Sequence, residues 1–103
     1  MSEATRVHAR FREAQPLWVL SGPGGTLLCA RHSLAGLVLL SWTTRDEMTT
    51  GVEELFRRAP HLFETHTPEQ RTFGSLLETA ARLRMGLRID EYVVESLEHA
   101  AGR

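Results

Sequence analysis

The chain has 103 residues, 42% hydrophobic and 24% charged, which fits one ordinary globular domain and leaves no room for a second core. A formal net charge of −1 at pH 7 excludes phosphate-backbone binding as the main activity, because each neutralised phosphate needs an Arg or Lys on a basic face. The lone cysteine, Cys29, forbids an intramolecular disulfide and fits a reducing cytoplasm. Met1–Arg6 has no signal-peptide pattern, and the longest apolar run, Leu34–Leu40, is far short of the ~20 residues that cross a bilayer. The reading is a cytoplasmic, soluble protein. All 12 basic residues are Arg, Asn is absent and Ile89 is the only Ile, a bias that points to a GC-rich coding source.

In chain order, Glu3–Glu13 suits a short helix, with Val7, Phe11 and Ala14 on one face, ended by Pro16. Leu17–Leu20 reads as a strand, Ser21–Gly25 as a turn and Thr26–Ala30 as the return strand of a hairpin. Gly36–Trp42 is apolar on consecutive residues, as expected of a central strand covered on both faces. Thr44 and Glu47 form a capping box that starts a helix with Met48, Val52, Leu55 and Phe56 inward, stopped by Pro60. Gly51 inside that helix costs about 1 kcal/mol relative to Ala.

His61–His66 reads as extended. Thr67-Pro68-Glu69-Gln70 carries the strongest helix-start signal, followed by Phe73, Leu76, Leu77, Ala80 and Leu83 at helical spacing, with Gly86 as the C-terminal cap. Leu87–Ile89 is a brief strand, and Asp90 caps a last helix with Tyr92, Val93, Leu97 and Ala100 inward.

The chemistry-bearing residues mostly exclude. Ser21-Gly22-Pro23-Gly24-Gly25 has no following Lys and leads into a strand, so it is a turn and not a phosphate or dinucleotide cradle. Cys29 and His32 have metal-ligand spacing, but no second Cys completes a Cys₂His₂ set, and His61 and His66 fall on opposite faces of an extended stretch. Ser21, Ser33 and Ser41 lack a nucleophile elbow, and Glu53-Glu54 reads as a solvated helix face. No catalytic, metal or cofactor-binding residue is assigned. Trp18 and Trp42 are core residues or interface anchors, with at least one in the core. Arg57 and Arg58, with Arg31 or Arg45, form either a small anion-attracting patch or a solvated helix end.

The run Leu39-Leu40-Ser41-Trp42-Thr43-Thr44-Arg45-Asp46-Glu47-Met48 resembles the strand-to-helix joint of the SseB-type bacterial domain. Gly86-Leu87-Arg88-Ile89-Asp90 is similar to that family's late strand, with Asp90-Glu91 where the family has Asn-Pro. The resemblance implies an α/β fold and a setting in secretion or regulation, without a mechanism.

The sequence therefore predicts one α/β (α+β) domain over residues 1–103, a mainly antiparallel β-meander sheet with helices packed on it. Leu37, Leu39, Leu40, Leu55, Phe73, Leu76 and Leu77 are expected in one core. The functional expectation is a protein-interaction or regulatory module without catalytic activity, acting on an unidentified protein partner. Trp18, Trp42, Arg57 and Arg58 are its candidate contact residues. The alternative is a small enzyme or ligand-binding domain with a site around Cys29 and a histidine. A symmetric homodimer is expected through an open edge of the Leu17–Ala30 hairpin.

Overall fold

In a computed structural model of the chain, residues 11–33 and 35–94 are described. Pro16–Ser21 forms β1, with proline at the first position, where its missing N–H is tolerated. Cys29–His32 (β2) and Gly36–Ser41 (β3) follow, then helix α1 over Arg45–Arg58 and a short helix α2 over Pro60–Thr65. Thr67–Thr72 (β4), helix α3 over Phe73–Leu83, Gly86–Ile89 (β5) and Tyr92–Val94 (β6) complete the order. The described residues form a single α+β domain of six strands in two sheets with three helices, mostly antiparallel.

One sheet runs β2-β3-β5-β6, with β3 central as expected and β3–β5 its one parallel pair. The other is the antiparallel pair β1–β4. Trp18 and Trp42 exchange both backbone hydrogen bonds, at 2.7 and 2.9 Å, and Leu28 N–H donates to Leu20 C=O at 2.9 Å, so the two sheets are stitched along β1.

The period of two along the strands sorts side chains into two cores. Leu17, Val19, Leu39, Leu87 and Ile89 meet Phe73, Leu76, Leu77 and Ala80 of α3. Leu20, Val38, Leu40 and Trp42 meet Met48 and Val52 of α1 on the other face. The single core expected from the sequence is thus divided by the sheet. Leu55 is only half-buried against the second cluster, and Leu37, at 45% exposure, lies in neither. The first two residues of β3, Gly36 and Leu37, are exposed, and the four that follow are buried.

Several local expectations are corrected. The hairpin begins, with Gly22 N–H donating to Thr26 C=O, but the return strand leaves β1 after Leu28 and pairs with β3. The edge of β1 expected to be open is covered by β4. His61–His66 is largely helical, because Pro60 ends α1 yet suits the first turn of α2. Thr67–Gln70 starts no helix and lies in β4. Trp18 and Leu20 direct their backbone groups away from β4, so Leu17–Arg71, Val19–Glu69 and Ser21–Thr67 are the bonded pairs. Pro68 opposite Leu20 then removes nothing from the ladder.

The real cap of α3 is Thr72, whose hydroxyl accepts from Ser75 N–H at 3.1 Å. At the far end Arg84, with φ 56°, closes α3, and Gly86 is buried in β5. Asp90, with φ 54°, caps no helix and turns the chain from β5 into β6; a short acidic side chain tolerates this left-handed geometry. Of the helix expected over Glu3–Glu13, only Phe11–Glu13 are described, and they run into a turn closed by Gln15 N–H on Arg12 C=O. Leu97 and Ala100 of the expected last helix lie outside the described residues.

Candidate functional site

Helix α1 begins where β3 ends, and both ends of that joint are tied. Thr44 Oγ1 accepts from Glu47 N–H at 3.0 Å, the cap its position predicts. Across the joint, the Asp90 carboxylate accepts from Thr43 N–H at 3.0 Å and from Thr43 Oγ1–H at 2.7 Å. These bonds pin the angle at which α1 leaves the sheet.

Held at that angle, α1 leaves a groove between itself, α2 and the β1–β4 ribbon, about 540 Å³ in volume. Leu20, Met48, Val52 and Phe56 make its floor, Phe63 and Pro68 its walls, and Arg45, Thr49, Glu53 and His66 its polar borders. Phe63 packs edge-on to Phe56 with ring centroids 5.7 Å apart, yet remains 69% exposed. The groove thus sets an apolar floor inside a polar border.

His66 is fixed at the groove's end. Thr65 Oγ1–H donates to His61 C=O, so toward His66 it offers only a lone pair, and Leu62 C=O can only accept. Nδ1 is therefore the donor, and Nε2 lies over Gly22, 2.6 Å from where a Cβ there would stand. Only glycine fits that approach.

The sequence-predicted residues separate. Trp42 is a core residue at 3% exposure, seated on Gly51, whose missing side chain makes room for its indole. Trp18 is half-buried against the second core cluster, with the guanidinium of Arg45, a border residue of the groove, 5.5 Å from its ring centroid. Arg57 and Arg58 point to solvent and pair with Glu53 and Glu54 one turn back, at 3.4 and 2.8 Å. Their charge is matched on the helix itself, so they form no focused anion patch.

Cys29 is half-buried against the α3 core, and His32, on the same strand, accepts at Nδ1 from Ala35 N–H at 3.0 Å. Neither lines the groove. A second depression, about 520 Å³, is bordered by Glu47, Asp90, Glu91 and Tyr92. Among the described residues no group of three or more His, Cys, Asp or Glu side chains is placed to hold a metal ion, and no helix is long and apolar enough to cross a membrane.

The groove escaped sequence reading because Phe56, Phe63 and Pro68 belong to three different elements. A signal existed in Phe56 and Phe63, seven residues apart, had Pro60 been read as a helix start as well as a stop.

Fold and groove together define a class: an α+β domain whose mixed sheet separates two apolar cores, with an apolar groove beside its first helix. No family model matches the chain, and no curated protein matches it.

Proposed function

We propose that this chain is a cytoplasmic, bacterial protein-interaction or regulatory module without catalytic activity, and that the groove beside α1 is its docking surface. The observation that carries the reading is the exposed Phe63 standing beside an apolar floor of Leu20, Met48, Val52 and Phe56. Water against such a floor is displaced favourably by an apolar partner, at about 25 cal/mol per Å². The contact residues move accordingly from Trp42, Arg57 and Arg58 to Phe63, Thr49 and the Trp18–Arg45 stack.

The relationship to the SseB-type domain belongs to the same proposal. Its support is that the two segments carrying the resemblance lie side by side, β3 parallel to β5 and Asp90 bonded to Thr43. The alternative, a site around Cys29 and a histidine, has less support, because the groove is bordered by His66 and not by Cys29.

A photo-crosslinking amino acid at position 49, compared with one at exposed Glu78 on α3, tests the reading in the native cell. A discrete adduct of defined mass from position 49 alone is the expected result. Equal labelling from both positions, or none from either, counts against a docking groove.

A further inference from the structure

We propose that the groove's occupant is a second copy of this chain, packed about a two-fold axis beside Thr49. In this arrangement Arg45 of each copy faces Glu53 of the other, and Phe63 of each enters the other's groove. The proposal rests on the reading of the groove as a docking surface and names its partner.

Charge order along α1 carries the argument. Arg45, Thr49 and Glu53 all border the groove and are four residues apart, so they form one line of side chains along the helix. The line reads positive, neutral, negative, with its ends about 12 Å apart at 1.5 Å per residue. A two-fold axis at its midpoint reverses the line in the second copy, so each positive end meets a negative end, twice. Two-fold interfaces require a patch that complements itself, and a stripe of one sign could not do so.

Shape agrees with charge. Phe63 is a knob at 69% exposure, and the hollow it would fill in a second copy lies next to it on the same surface. Neither charged residue is strongly held within one chain. Glu53 meets Arg57 at 3.4 Å with both side chains about two-thirds exposed, a pair of little strength. The Arg45 guanidinium carbon lies 5.5 Å from the Trp18 ring centroid, a cation–π contact that is compatible with a carboxylate partner as well. The edge of β4 offers a second copy less, because Pro68 points its missing N–H outward and interrupts any new ladder there.

Sedimentation equilibrium of the full chain from micromolar to millimolar concentration tests this. The expected mass approaches twice the 11.6 kDa of one chain. Arg45→Glu and Glu53→Arg alone each weaken association by about tenfold, and combining them restores it. Phe63→Ser weakens it by on the order of a hundredfold, with an unchanged melting curve at dilutions where both proteins are monomeric, since that side chain is mostly exposed. A monomer at every concentration overturns the proposal, as does a dimer indifferent to these changes.

A soluble gadolinium chelate then separates this failure from that of the docking reading. In a monomer, strong relaxation of the Phe63 ring and Thr49 methyl signals means the groove is open and only the second copy is wrong. Shielding of those signals means the chain fills its own groove, and both readings fall.

Discussion

Gly51→Ala opposes two effects of known size at one atom. In an exposed helix interior, alanine in place of glycine stabilises by about 1 kcal/mol. Here the new Cβ would stand 2.4 Å from Trp42 Nε1 and 3.1 Å from Cε2, roughly 1 Å inside the ~3.5 Å of an ordinary contact. The indole has nowhere to retreat: Trp42 is 3% exposed, its backbone is bonded to Trp18 on both sides, and Met48 and Val52 pack around it. Overpacking of this kind costs about 1–3 kcal/mol, and an overlap this deep against a rigid ring belongs at the upper end. The net expectation is a loss of about 2 kcal/mol, or a fall in Tm of roughly 10 °C for a domain of this size. Urea and thermal denaturation followed by tryptophan fluorescence measure it. In a Trp42→Phe background the clash is gone, and the same substitution should stabilise by about 0.5–1 kcal/mol, a reversal of sign. If Gly51→Ala stabilises the wild-type chain as well, the indole is not seated on α1 and the argument is refuted.

Thr72→Ala should lower stability by about 1 kcal/mol by removing the acceptor for Ser75 N–H, while Thr67→Ala stays within about 0.5 kcal/mol; the opposite order of urea midpoints would place the cap of α3 where the sequence signal put it. Asp90→Ala removes both bonds to Thr43 and leaves a residue that resists the positive φ, for a loss of about 2–3 kcal/mol. Asp90→Asn keeps one acceptor and the turn geometry and should lose about 1 kcal/mol, so equal losses in chemical denaturation would show that the carboxylate does not pin the joint. Leu39→Ala should cost about 2–5 kcal/mol and Leu37→Ala under about 1 kcal/mol, and comparable losses would contradict the two-core packing of β3.

Local chemistry was read correctly where one element supplies both signal and response. The Thr44 cap, the start of α1 at Arg45, the inward Met48 and Val52 and the apolar β3 all depend on neighbours within a few residues. The same confidence in local rules failed at Thr67–Gln70. Cap, proline and glutamine were all in place there, worth about 1 kcal/mol together, but pairing with β1 offers a full ladder to a segment that would otherwise leave β1 half unbonded. The helix began one strand later, at the next threonine able to cap it.

Periodicity and capping thus determined, from the sequence by itself, an α+β chain with a buried central strand and a capped helix directly after it. They also showed that no motif for metal, phosphate or nucleophilic chemistry is present in contiguous residues. Only the tertiary structure decided which edge β4 covers, that the sheet divides the apolar residues into two cores, and that Gly51 and Gly22 are cut to fit Trp42 and His66. It alone brought Leu20, Val52, Phe63 and Pro68 to one groove. The physical reason is range: caps and amphipathic stripes act over a few residues. Strand pairing and ring-on-backbone contacts join residues far apart in the chain, and their partners can be named only once the chain has closed on itself.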